Sequence, residues 1–156
     1  MVYIGLAAFL AALDLLIKAE IEKQKPDSFP RELKGTKGRI TLYQNHNPGF
    51  SFGRLKNHPE VVRMVPLMIA SALCGIFAYI LPKKGYVLEK LTLAVTLGGA
   101  ASNLYDRLVR RYVVDYFSIE WKWLKKVVFN IGDICIFAGA GLMLAAEMIR
   151  SLTEKK

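Results

Sequence analysis

A chain of 156 residues suffices for one folded unit, and 53% hydrophobic residues with a positive mean hydropathy exclude a disordered segment and argue against a water-soluble enzyme. The formal net charge of +9 would suit nucleic acid, yet the basic residues lie mostly between apolar runs and no nucleic-acid-binding motif is present, which leaves anionic membrane phospholipids as the partner of that charge. Cys74 and Cys135 fall in separate apolar runs without metal-ligand spacing and read as small core residues.

The apolar residues are gathered into four runs, which predict spans over about residues 2–18, 61–81, 87–105 and 127–149 of a single integral membrane domain covering 1–156. At about 1.5 Å per residue each matches a hydrocarbon core of roughly 30 Å. The first run lacks a basic leading region and an A-x-A cleavage site, and it ends in Lys18-Ala19-Glu20, so it reads as a retained helix. Asp14 and Lys18 share one face of it.

Residues 19–60 form a long polar connection punctuated by Pro26, Pro30, Gly35 and Gly38. Arg39-Ile40-Thr41-Leu42-Tyr43 alternates as a strand does, and Asn-Pro-Gly at 47–49 reads as a turn with Phe50 and Phe52 beside it. A small amphipathic β-like element lying on the membrane is expected there. Pro66 is tolerated near the start of the second run, and Pro82-Lys83-Lys84-Gly85 is a tight turn that returns the chain at once. Residues 106–126 make a second loop, whose Trp121 and Trp123 suit a headgroup-level anchor. Gly139-Ala140-Gly141 in the last run offers close helix packing.

If four helices alternate in direction, both long connections lie on one membrane face. Asp14, Asn47, Asn103, Asp106, Arg107, Asp115, Asn130 and Asp133 then converge there, where ionisable groups are costly unless paired or functional. Two carboxylates close together titrate unequally, so Asp115 and Asp133 could act as the base that activates water and the acid that protonates a leaving amine. The rival is a hard cation held by clustered Asp and Asn; with only His46 and His58, both in the first loop, a histidine-rich zinc site is not expected. A third reading is structural, because Asn130 and Asp133 are spaced as a helix capping box. A small transporter would place its polar groups near mid-membrane instead.

Five blocks carry a resemblance: Asp14-x-x-x-Lys18, Asn47-x-Gly49-x-x-Phe52-Gly53, Gly98-Gly99-Ala100-x-x-Asn103-x-x-Asp106-Arg107, Val113-Val114-Asp115-Tyr116 and Phe129-Asn130-x-x-Asp133. In this order, across nearly the whole chain, the sequence resembles the lipoprotein signal peptidases, signal peptidase II. The resemblance implies an all-α membrane protein of four transmembrane helices, working without a metal or other cofactor as an aspartic endopeptidase of the bacterial plasma membrane. Its substrates would be prolipoproteins, cut just before a cysteine that bears diacylglycerol, and globomycin-type inhibitors would block it.

Matched motif by motif, Asp115 and Asp133 fall on the catalytic dyad. Asn47, Gly49, Asn103, Asp106, Arg107 and Asn130 fall on positions that line or order the site, and Asp14 and Lys18 on the supporting motif of the first helix. Leu15, Ser51, Ser102 and Gly132 depart from the family's usual glutamine, alanine, glycine and alanine; the first three read as absorbed by packing, whereas Gly132 should loosen the start of the last helix. The alternative is a catalytically inactive relative that binds lipidated proteins as a membrane subunit. Loop charge alone would place the long connections in the cytoplasm, but the resemblance implies the reverse: cytoplasmic termini and an extracytoplasmic site.

Overall fold

The structure is a computed structural model that describes residues 1–50 and 55–154, so Ser51, Phe52 and Gly53 lie outside the described residues. Four long helices carry the fold: α1 (Val2–Glu22), α2 (Pro59–Ile80), α3 (Val87–Tyr105) and α4 (Ile131–Glu154). Three of them, α1, α2 and α4, are long and apolar enough to cross a membrane. Their apolar side chains point outward, among them Phe9, Leu16, Met68, Tyr79, Phe137 and Leu144. A continuous apolar exterior of this kind is not that of a protein surrounded by water.

The helix α3 differs because of where it sits. It packs against each of the other three, and its buried residues include Leu93, Ala94, Leu97, Gly98, Gly99, Ser102 and Asn103. An enclosed helix does not need the lipid-facing hydropathy of its neighbours and can hold small and polar residues. Close approach is built in at two contacts: a Cβ on Gly98 would meet the Ala7 carbonyl of α1 at 2.8 Å, and one on Gly99 would overlap the Gly132 carbonyl of α4. Gly139 lies as tightly against Thr92 and Thr96, whereas Gly141 faces open space, so only the first of the two small residues packs as expected.

The turn at 82–85 joins α2 to α3 as expected, with Gly85 at φ +78°. Helix ends differ from the sequence reading: α2 is Pro59–Ile80 and α4 runs on to Glu154, and two further differences have a visible cause. Helix α1 continues through Ala19 to Glu22, good helix formers that extend it beyond its apolar run. Helix α4 begins at Ile131 and not at 127, because Phe129 exchanges backbone hydrogen bonds with Phe117, at 2.7 and 3.0 Å, and holds its segment extended.

The two long connections build one antiparallel sheet in the order β1 (Arg31–Glu32), β2 (Ile40–Asn47), β3 (Val113–Ile119). The third strand corrects the sequence reading of 106–126 as a loop. Val114 and Tyr116 face a small core with Ile21 of α1, while the alternate residues Val113 and Asp115 face the opposite way. A π-helical turn, Asp106–Arg110, links α3 to β3, and a short 3-10 helix, Lys122–Lys126, precedes α4.

Candidate active site

Between the sheet, the short 3-10 helix and the start of α4 lies a mainly apolar cavity of about 490 Å³, lined by Val113, Ile119, Leu124, Phe129, Ile134 and Phe137. Four polar residues reach it: Asn47, Arg107, Asp115 and Asp133. Trp123 stands at its edge and is, like Trp121, largely exposed.

The pair Asp115 and Asp133 is held by three asparagines. Asp115 accepts the amide of Asn130 on Oδ1 (2.8 Å) and that of Asn47 on Oδ2 (3.2 Å). Asp133 accepts the amide of Asn103 on Oδ1 (2.8 Å) and the backbone N–H of Asn130 on Oδ2 (3.3 Å). Each asparagine oxygen is engaged elsewhere: that of Asn47 by the Gly49 N–H (3.0 Å), that of Asn103 by the Lys18 ammonium (2.7 Å), that of Asn130 by the Asp133 N–H (2.8 Å). The asparagines therefore present N–H groups to the carboxylates and withhold the oxygens that a hard cation would need. The reciprocal bonds of Asn130 and Asp133 also form the capping box that the spacing allowed, so Asp133 caps α4 and lines the cavity at once.

The placement of Asn47 depends on a bulge. Leu42 lies opposite Phe117 but Asn45 opposite Asp115, so β2 carries one extra residue between them. A one-residue slip exchanges the two faces of a strand. Without the bulge Gln44 and His46 would take the places of Asn45 and Asn47; as built, they turn to the end of α1, where Gln44 donates to the Ile21 carbonyl (3.2 Å) and His46 contacts Glu22 (2.9 Å).

Burial pushes the Asp115 carboxyl up to about 7, the neighbouring Asp133 charge adds to the rise, and the amides of Asn47 and Asn130 oppose it. Arg107 is half-buried beside the pair; its Nε finds no partner among the described residues, and its Nη1 donates weakly to the Asn103 carbonyl (3.4 Å). Burial lowers its pKa, while Asp133, Asp115 and Asp106 sustain its charge.

Behind the cavity lies an enclosed ion cluster. The Lys18 ammonium contacts Asp14 (2.8 Å), Asp106 (3.0 Å), Ser102 (3.1 Å) and Asn103, and Asp14, Lys18 and Asp106 are all fully buried. Asp106 also takes Arg110 (2.7 Å) and the Val114 N–H (3.1 Å). The sequence reading grouped Asp14, Lys18 and Asp106 with the site residues; they lie one layer back and reach the pair through Asn103 and the backbone. Two residues of this layer escaped that reading. Ser102, treated as absorbed by packing, donates to Asp14 (2.6 Å). Tyr116 donates to Asp14 (2.8 Å) and accepts the Ile131 N–H (3.0 Å); it stands in the Val113-Val114-Asp115-Tyr116 block without having been read as a site residue. Gly132 seats α4 against Gly99, where a Cβ would lie 2.9 Å from the Gly99 carbonyl.

Three apolar helices, an enclosed fourth and a polar site under a small sheet are the features of a membrane protein, and solved structures share this fold. Two of them, each described as a bacterial membrane enzyme, superpose with TM-scores of 0.81 and 0.77. Both are 21% identical; the first match covers 99% of this chain and 92% of the other, the second 93% and 91%. The family model for signal peptidase (SPase) II matches residues 6–149. The lipoprotein signal peptidase of Haemophilus influenzae strain PittGG is 33% identical over 156 residues, 99% of this chain and 88% of that protein. That of Moorella thermoacetica is 35% identical over 142 residues, 89% and 87% of the two. The chain belongs to the signal peptidase II family.

Proposed function

We propose that the chain is an aspartic endopeptidase that removes signal peptides from prolipoproteins, cutting before a cysteine that carries diacylglycerol. The observation that supports this most directly is the pair Asp115 and Asp133, aimed by the amides of three asparagines at the wall of an apolar cavity, where burial raises the Asp115 carboxyl. Asp133 draws a proton from a water that attacks the scissile carbonyl, and Asp115 gives its proton to the departing amine as the C–N bond breaks. One proton passing from Asp133 to Asp115 through solvent restores the pair. Arg107, which lines the cavity beside the pair, stabilises the developing oxyanion through its charge.

In this reading α3 is the fourth membrane span, the termini are cytoplasmic, and the sheet lies on the extracytoplasmic face with Trp121 and Trp123 among phospholipid headgroups. The apolar cavity admits the end of the signal helix and the acyl chains, and globomycin-type inhibitors compete for it. Each buried methylene contributes about 0.8 kcal/mol, so two acyl chains fix the peptide bond at the depth of the pair and lower the entropic cost of reaction. Rates for one precursor with and without the diacylglyceryl group, with and without globomycin, test the proposal. The lipidated form should be cut far faster and only that cleavage blocked by inhibitor; comparable rates would reject it. A cysteine at Lys37 should react with an impermeant reagent in intact cells, and its protection would reject the orientation.

A further inference from the structure

Asp115 and Asn47 border two cavities, the apolar one along α4 and a second of about 330 Å³ on the sheet side, which Asn45, Pro48 and Lys126 also line. A chain cut at Asp115 must lie across this junction, with one portion in each cavity. The two differ in chemistry. The first follows α4 past Ile134 and Phe137, whose side chains stand on the apolar exterior, and so opens towards the membrane interior. The second is bounded by asparagines of β2 and by the end of the 3-10 helix, and so leads away from it.

The charge in the second cleft is also distinctive. His46, which also lines it, contacts Glu22 at 2.9 Å. Lys126 is exposed and forms no ion pair among the described residues. We infer that the sheet-side cleft receives the segment following the cleaved bond, and that Lys126 there favours substrates with a carboxylate within two or three residues after the lipidated cysteine. The inference deepens the peptidase reading and rests on it. At roughly 3.3–3.6 Å per residue, an extended chain reaches the neighbourhood of the cleft within that interval. A single exposed charge pair changes rates modestly, by about two- to fivefold, and less at high salt.

The test uses the full chain in detergent and two diacylglyceryl-cysteine precursors that differ only in carrying Asp or Lys at the second and third positions after the cysteine. Their kcat/KM values are compared for the wild type, Lys126→Glu and, as a control of equal charge change outside the cleft, Lys125→Glu. Both lysines are exposed, so folding is preserved. The wild type should prefer the Asp precursor by about two- to fivefold, Lys126→Glu should prefer the Lys precursor, and Lys125→Glu should shift the ratio far less. A wild-type ratio of one, a preference that survives Lys126→Glu, or an equal shift with Lys125→Glu overturns the inference while leaving the peptidase reading intact. No cleavage of either precursor by the wild type sinks both.

Discussion

Two groups of aspartates lie in adjacent layers, one behind the cavity and one on its wall, and are treated in opposite ways. Asp14 and Asp106 are sealed from solvent, yet Lys18 and Arg110 sit among them, so the cluster balances two negative charges with two positive ones. Asp115 and Asp133 border a cavity and receive mostly neutral amides, and Arg107 adjoins them without bonding to either. Amides fix the direction of a carboxyl without fixing its charge, whereas a buried ammonium does both. The first arrangement makes a support; the second leaves a proton free to move.

The sharpest way to break the contrast is to remove the exchangeable protons. Asp115→Asn and Asp133→Asn should each reduce turnover by about 10³-fold or more while the protein remains folded. Near-normal cleavage by Asp133→Asn would mean that the capping box is its whole role. The second test attacks the support. Lys18→Met strands the buried Asp14 carboxylate and leaves Asp106 with Arg110 alone; breaking a buried pair typically costs about 3–5 kcal/mol, and the melting temperature in detergent should fall far more than with either dyad substitution. An unchanged melting temperature would show that the cluster is not the anchor of the site.

The smallest effect concerns protons at equilibrium. The folded state raises Asp115 from its ordinary 3.8 to about 7, so it binds that proton more tightly than the unfolded chain does. The resulting stability is complete below about 3.8 and is lost as pH rises through about 7. Asp115→Asn should therefore raise the melting temperature relative to wild type more at pH 8 than at pH 5. Cleavage by the wild type should decline with a midpoint near 7, where Asp115 loses the proton that it donates. Asn47→Leu removes an amide that favours the charged form and should move that midpoint upward, by about one unit if the hydrogen bond is worth ~1.5 kcal/mol. A downward shift would reverse the sign of the argument.

How much of this was legible in the sequence depends on the range of the interaction. Apolar runs declare helices because the signal repeats along the segment itself, and the Asn130–Asp133 box was visible for the same reason. Strand β3 was not foreseen, because Val113–Ile119 pairs mainly with β2, some seventy residues earlier, and its basic surroundings resemble a loop. The bulge that aims Asn47 is one residue of register and has no local mark. Enclosure of α3 likewise could not be read from its composition, since its lower hydropathy is a consequence of neighbours that the segment does not contain. Ser102 and Gly132, departures when set against the family, become intelligible only once Asp14 and Gly99 are beside them.

The ion cluster also bears on how such a chain can be made. Asp14 and Lys18 are four residues apart in α1, and Asp106 and Arg110 are four apart at the end of α3. Each segment thus brings its own counter-charge within one helical turn, and α1 can leave the translocation machinery as a locally neutral rod before α3 has been synthesised. When the helices meet, Lys18 reaches Asp106 and two separate dipoles fuse into one four-membered lock. None of these four groups has to wait unpaired in the lipid for the other helix.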